Sequence, residues 1–261
     1  VGAVVSAALQ IDNVSVRFGG LVAIADVSFA VGDNEVVGLI GPNGAGKTTA
    51  FNVITGFLRP TAGDVRYRNT SLTGLKPHEV AALGLVRTFQ RTSVFQNNSV
   101  FENLLIGLHR HGRATLLDTL LALPRERAAE RALQDKAREL LELVGLAQRA
   151  SEKAGTLPYG EQRLLGVALA LAAGPSMLLL DEPVSGMNAS ETHAFMRLVE
   201  KIRRLGIAIL LVEHDMPMVM GVSDRIVVLN YGRIIAQGAP ADVQRDPEVI
   251  RAYLGQGSKR A

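Results

Sequence analysis

The stretch "GLIGPNGAGKTT", Gly38 to Thr49, decides how this chain is read. Gly41, four intervening residues and then Gly46-Lys47-Thr48 match the pattern of a phosphate-binding P-loop. Its flanks fit as well. The apolar run Val36 to Ile40 precedes it as a candidate strand, and the helix-compatible stretch Ala50 to Gly56 follows. In such a loop the glycines let backbone N–H groups curve around phosphate oxygens, and the start of the helix adds a partial positive charge. The segment Gly41-Pro42-Asn43-Gly44-Ala45-Gly46-Lys47-Thr48-Thr49 is therefore expected to cradle the phosphates of a nucleotide. Lys47 is expected to reach the β- and γ-phosphates, and Thr48 to ligate Mg2+.

A second stretch narrows the chemistry. "MLLLDEP" places Asp181 and Glu182 at the end of an apolar run. Ligands of open α/β sheets bind at the carboxyl ends of strands. There one carboxylate is suited to holding Mg2+ and the next to polarising an attacking water.

Four short runs have the continuous apolar character of strands covered on both faces: Val36 to Ile40, Met177 to Leu180, Ala208 to Val212 and Ile226 to Leu229. Amphipathic stretches lie between them. Glu126 to Val144 puts Leu133, Ala137, Leu140, Leu141 and Val144 on one helical face. The alternation of strands and helices implies an α/β fold, a P-loop core with a mainly parallel sheet. Leu9 to Ala30 alternates instead, through Ile11, Val14, Val16 and Phe18 and then Val27 and Phe29, and reads as an antiparallel β edge layer. Residues 97–165 carry little strand signal and much Leu, Ala, Arg and Glu. The expected organisation is a core with its antiparallel layer at 9–96 and 166–240, a helical subdomain at 97–165, and a C-terminal helix and tail at 241–261.

The bulk numbers exclude some chemistry. With 261 residues there is room for one large domain, or one domain with a subdomain. No cysteine is present, which removes disulfides and thiolate metal sites. A net charge of +3 is too small an excess to imply nucleic-acid binding. Leu164 to Leu180 is mostly apolar, but Gly174-Pro175-Ser176 cuts it below the ~20 residues that a bilayer needs. "VGAVVSAALQ" at the start lacks a positive segment and is not expected to be a signal peptide. The polar tail from Gln256 is expected to be disordered.

At this point the residues resemble an ATP-binding-cassette (ABC) ATPase along nearly the whole chain. Phe18 resembles the aromatic that stacks on adenine, and Gly41 to Thr48 the Walker A motif. Gln90, in "RTFQ", resembles the Q-loop glutamine, which the resemblance places on Mg2+ beside Thr48 and Asp181. Leu157 to Gln162 stands at the signature motif, Met177 to Glu182 at Walker B, Val184 to Asn188 at the D-loop, and His214, in "LVEHD", at the switch histidine. The stretches "RFGGLVAIADVSF", "GPNGAGKTTAFNVITGF", "LPYGEQR" and "LNYGRIIAQGAP" look like the larger ATPase subunit of high-affinity branched-chain amino acid importers.

The resemblance implies ATP and Mg2+ as cofactors, with Glu182, His214 and Lys47 as the catalytic set. It implies a second ATPase subunit, identical or different, whose ATP would be contacted by Tyr159, Gly160, Glu161 and Gln162. It further implies transmembrane permease subunits, a solute-binding protein acting indirectly, and a peripheral place on the cytoplasmic face of the cell membrane. Val94 and Phe95 are candidates for the permease-docking groove. Two departures stand out. Pro158-Tyr159 replaces the usual Ser-Gly of the signature; backbone donors and the helix terminus can replace the lost hydroxyl at the phosphate, the alternative being a neutral loop variant. Gly166 and Leu169 stand where the family commonly has charged residues. Rival readings are transport of urea, amides or another solute, a soluble ABC ATPase acting on nucleic acid, and a small-molecule P-loop kinase.

Overall fold

The computed structural model describes residues 7–88, 94–109 and 124–254. Two sheets meet in it. The first is antiparallel: β1 (Ala7–Phe18), β2 (Leu21–Gly32), β4 (Ala62–Tyr67) and β5 (Thr70–Ser71), in the order β2-β1-β4-β5. In β1 the buried positions run Leu9, Ile11 and then Val14, Val16. The step of three falls where the β1–β2 register shifts, beside Asn13 in a left-handed conformation (φ 48). The bulge keeps one face apolar across an irregular sequence. Phe18 continues that phase but lies at the hairpin end, beyond the core, and is 52% exposed.

The second sheet has the order β10-β9-β3-β8-β7-β6, with β3 (Val36–Ile40), β6 (Leu85–Arg87), β7 (Met177–Asp181), β8 (Ala208–Val212) and β9 (Arg225–Asn230) parallel, and β10 (Arg233–Gly238) antiparallel at the edge. The expected α/β class with a mainly parallel sheet and an antiparallel layer is what the chain adopts. The continuous apolar runs are explained by burial on both faces. Val37, Leu39, Leu179, Leu210 and Val227 pack toward the antiparallel sheet and α1 (Lys47–Ile54). Ile40, Leu178, Leu180, Leu211 and Val228 pack toward the remaining helices.

Between β6 and β7 the described residues form α3 (Val100–His109), α4 (Pro124–Val144) and α5 (Tyr159–Ala172); the short α2 (Pro77–Ala82) precedes β6. Ala137, Leu140, Leu141 and Val144 of α4 are buried, with Leu133 packed beside them, as their helical spacing predicts. The division expected at 165/166 falls inside α5. Leu165, Val167 and Ala168, on either side of that boundary, are all buried. Leu169 packs beside Gly107 of α3, where an added Cβ would lie 3.2 Å from the Leu169 side chain. A charged side chain at position 169 would be desolvated at that crossing. α6 (Ala189–Arg204) follows β7, α7 (Met216–Val222) follows β8, and α8 (Pro240–Arg245) and α9 (Pro247–Leu254) close the described chain. Among the described residues no helix is long and apolar enough to cross a membrane.

Tyr253 on α9 has a buried hydroxyl near the Gly41 N–H that makes no well-formed hydrogen bond among the described residues. Burial pushes its phenol up to about 12, against a smaller opposing effect of the Gly41 N–H. The unfolded chain ionises this group near its ordinary value of 10.0, so the stability it confers is whole below that pH and declines as pH rises toward 12. Tyr253→Phe is therefore expected to flatten the alkaline fall in stability, as read by denaturant unfolding at several pH values. An unchanged slope would refute the assignment.

Candidate functional site

Three strand ends build the site. β3 stops at Ile40 and the chain turns through Gly41 (φ 151), where a Cβ would collide with the carbonyl oxygen of Leu229 on β9. The first loop glycine is thus demanded by the neighbouring strand, before any ligand is considered. The loop is pinned from outside as well. Gly232 N–H donates to Ala45 O (3.0 Å), and Ala25 N–H donates to Gly232 O (2.8 Å). From inside, Lys47 Nζ donates to Gly41 O (2.6 Å) and Pro42 O (3.0 Å).

Gly46 precedes α1 without a side-chain cap, which leaves the first N–H groups of the helix pointing into the loop. Asn43, Gly44 and Thr48 are exposed, while Gly46, Lys47 and Thr49 are half-buried. Burial lowers the pKa of Lys47, and the nearby Glu182 carboxylate works in the opposite direction. The Glu182 carboxylate thus lies near enough to act on the Lys47 charge, while Lys47 Nζ itself is bonded within the loop.

Asp181 ends β7 and is 2% exposed. Its Oδ2 accepts a bond from Arg87 Nη2 at 2.6 Å. Arg87 Nη1 donates to Asn52 Oδ1 (2.8 Å) on α1 and to Thr55 Oγ1 (3.3 Å) at its C-terminal cap, and the guanidinium lies over the Phe51 and Phe57 rings. This guanidinium ties the buried acid to the helix that follows the phosphate loop. Sequence reasoning missed it. The signal was present as Arg87 three positions before Gln90, but only the folded sheet sets β6 beside β7.

Glu182 holds a left-handed backbone (φ 46), uncommon and costly for a residue with a side chain. Its N–H donates to Val212 O (2.9 Å), so the β7–β8 ladder ends on it and the chain then swings away. His214 lies just past β8, with its side chain 65% exposed. Glu213 beside it is fully buried and was also missed. Gln90 lies outside the described residues.

Pro158 sits at the N-cap of α5, and Tyr159 is its first helical residue. The Tyr159 hydroxyl accepts bonds from Arg163 (2.7 and 3.1 Å), and its ring covers Gly186, in the turn before α6. Gln162 Nε2 donates to Leu157 O (2.9 Å), and Glu161 lies 3.3 Å from Arg149. Gly160 is buried, and a Cβ there would stand 3.1 Å from Glu191 Oε1. The helix entrance is thus packed against the turn after β7 within the same chain.

This changes what a substitution at 160 tests. Gly160→Asp would set a second carboxylate against Glu191, so part of its damage would be internal to the chain. It is expected to lower the melting temperature and abolish assembled hydrolysis, while ATP binding at the chain's own P-loop survives. Adding Glu191→Gln should restore the melting temperature but not hydrolysis. Full recovery of both would mean that Leu157 to Gln162 has no contact with a partner's nucleotide. Pro158→Ser adds a hydroxyl at the cap and is expected to change turnover by about fivefold or less, roughly 1 kcal/mol.

Comparison with known proteins agrees with this geometry. The family model described as ABC transporter matches residues 24–185, and that described as Branched-chain amino acid ATP-binding cassette transporter matches residues 233–258. The chain is 44% identical over 249 residues to the high-affinity branched-chain amino acid transport ATP-binding protein LivG of Salmonella typhimurium, covering 95% of this chain and 98% of that one. It is 43% identical, with the same coverage, to BraF of Pseudomonas aeruginosa, which carries the same description. A crystal structure of a nucleotide-free ATP-binding cassette from an ABC transporter superposes with a TM-score of 0.82 at 34% identity, covering 95% of this chain and 98% of that one. Another, described as the ADP conformation of an ATP-binding cassette of an ABC transporter, gives 0.82 at 33% identity, covering 95% and 99%. With its phosphate loop, its paired acids and these matches, the chain belongs to the ABC transporter family as one of its ATP-binding cassettes.

Proposed function

We propose that this chain hydrolyses ATP to drive uptake of branched-chain amino acids through a membrane permease. The observation that carries the hydrolytic part is that the phosphate loop with Lys47, which follows β3, and the acids Asp181 and Glu182, at the end of β7, lie at the same ends of two parallel strands of one sheet. A cation in the phosphate loop and a carboxylate near enough to act on its charge suit attack of water on a γ-phosphate. The substrate assignment rests on the branched-chain match at residues 233–258 and on the relatives' descriptions.

The residues fit Mg2+. Arg87 takes one oxygen of Asp181, and the other makes no hydrogen bond among the described residues; Thr48 is exposed at the loop. Asp181, Thr48 and Gln90 would hold the ion with the ATP phosphates, where it would neutralise developing charge. Glu182 would orient or deprotonate the water, and His214 would contact the γ-phosphate. Phe18, exposed at the hairpin end, is available to stack on adenine. Tyr159 to Gln162 would meet the ATP of a second ATPase subunit. Phe95, 55% exposed, presents an apolar surface to a permease, whereas Val94 is packed against the core. On this reading the chain is a peripheral subunit on the cytoplasmic face of the membrane, and a solute-binding protein delivers the substrate to the permease.

The test is purification of the chain from membranes with its bound partners, reconstitution in vesicles, and measurement of ATP-dependent leucine uptake. Uptake of leucine, isoleucine or valine is the expected result. Uptake of urea or an amide instead, or salt-sensitive binding of DNA or RNA without transport, would overturn the assignment.

A further inference from the structure

We infer that Glu213 is a positioning residue that holds the two loops carrying Glu182 and His214 in one frame. The inference rests on the roles proposed above for those two residues. Glu213 directly follows β8, and its side chain is 0% exposed. Its two carboxylate oxygens serve different loops. Oε1 accepts the N–H of Val184 (2.9 Å), two residues after Glu182. Oε2 accepts the N–H of His214 (2.9 Å) and that of Asp215 at a longer 3.4 Å, and lies 3.6 Å from His214 Nδ1.

No Lys or Arg pairs with this carboxylate among the described residues. A buried ion without a counter-cation is costly, and an apolar side chain would serve packing better. What the acid supplies is direction. Two planar oxygens meeting N–H groups from two loops fix their separation and their relative orientation. Glu182 is bracketed by this arrangement. Its own N–H is held by Val212 O on β8 (2.9 Å), and Val184 is held by the very next residue of the same segment. The left-handed turn at Glu182 therefore has both its ends anchored on residues 212 and 213. On the other side the anchor passes to the His214 backbone, and Asp215 continues it by accepting the Met218 N–H (2.9 Å) at the start of α7. Movement of either loop must displace the other.

Glu213→Gln keeps the shape but turns an N–H2 group toward N–H donors on one side. One loop stays held and the other is released. The measurement is steady-state hydrolysis, ATP affinity and melting temperature in the assembled transporter, for Glu213→Gln, His214→Ala and the double variant, with Glu182→Gln as control. Glu213→Gln is expected to lower kcat on the order of 10- to 100-fold, with ATP affinity and KM within about twofold, because the loops act on chemistry after ATP is bound. In the His214→Ala background the same change should cost at least fivefold less, since the two positions share one function.

An equal loss in both backgrounds, or KM and melting temperature falling away together with kcat, would overturn the role. If Glu213→Gln fails to accumulate, Glu213→Asp replaces it. That residue keeps the charge, is one methylene shorter, and is expected to show the same split between kcat and KM at smaller size. Normal hydrolysis in Glu182→Gln would remove the reading of the site itself. Impaired hydrolysis in Glu182→Gln and His214→Ala beside normal hydrolysis in Glu213→Gln would remove only the positioning role.

Discussion

Replacing Glu182 by Gln is expected to lower ATP hydrolysis about 10²–10⁴-fold while ATP binding persists. The amide keeps the volume and the left-handed turn at φ 46, and it leaves the N–H bond to Val212 O untouched. What disappears is the negative charge that acts on Lys47 and the basic oxygen that would take a proton from water. Burial lowers the Lys47 pKa and the Glu182 carboxylate raises it, so removing that carboxylate lowers it further. Lys47 nevertheless gains the phosphates as its sole strong counter-charge once ATP arrives, which is why binding should hold. Stalled hydrolysis should trap a complex in which ATP bridges two cassettes, visible as a larger species by size-exclusion chromatography with the native partner present. Rapid turnover, or no ATP-dependent association with that partner, would reject Glu182 as the base or the two-subunit arrangement respectively.

Lys47→Ala is expected to remove most ATP binding and with it turnover. Two effects add. The charge on the β- and γ-phosphates is lost, and each hydrogen bond to a charged group is worth roughly 1.5–3 kcal/mol. The loop also loses its internal ties, because Lys47 Nζ bridges the carbonyls of Gly41 and Pro42. An affinity loss on the order of 10- to 100-fold is expected by equilibrium nucleotide binding, and the melting temperature should respond less to added ATP. Since Gly232 and β9 still hold the loop from outside, the free protein should remain folded. Turnover near that of the unaltered chain would dismiss the phosphate-loop assignment.

Much was legible in the residues alone, for a physical reason. A strand buried on both faces must be apolar throughout, so Ala208 to Val212 shows its place in the sheet without any partner being known. A phosphate loop needs small residues at fixed spacing, so Gly41 to Thr48 is recognisable wherever it lies. The α4 stripe from Leu133 to Val144 follows from helical periodicity alone.

Contacts between distant segments were not legible, because no local pattern encodes them. Arg87 reads as an ordinary strand-end cation until parallel pairing of β6 with β7 brings it to Asp181, 94 positions away. Glu213 reads as one acid among several until its burial and its bond to Val184 appear. Gly160 reads as space for a phosphate until Glu191 is found occupying its flank. Sequence by itself determined which elements form and which residue types carry the chemistry, since both depend on near neighbours along the chain. Only the tertiary structure decided how Glu182 and Asp181 are held, because Val212, Glu213 and Arg87, which fix that segment, belong to strands or strand ends far away in sequence, and only the paired sheet brings them together.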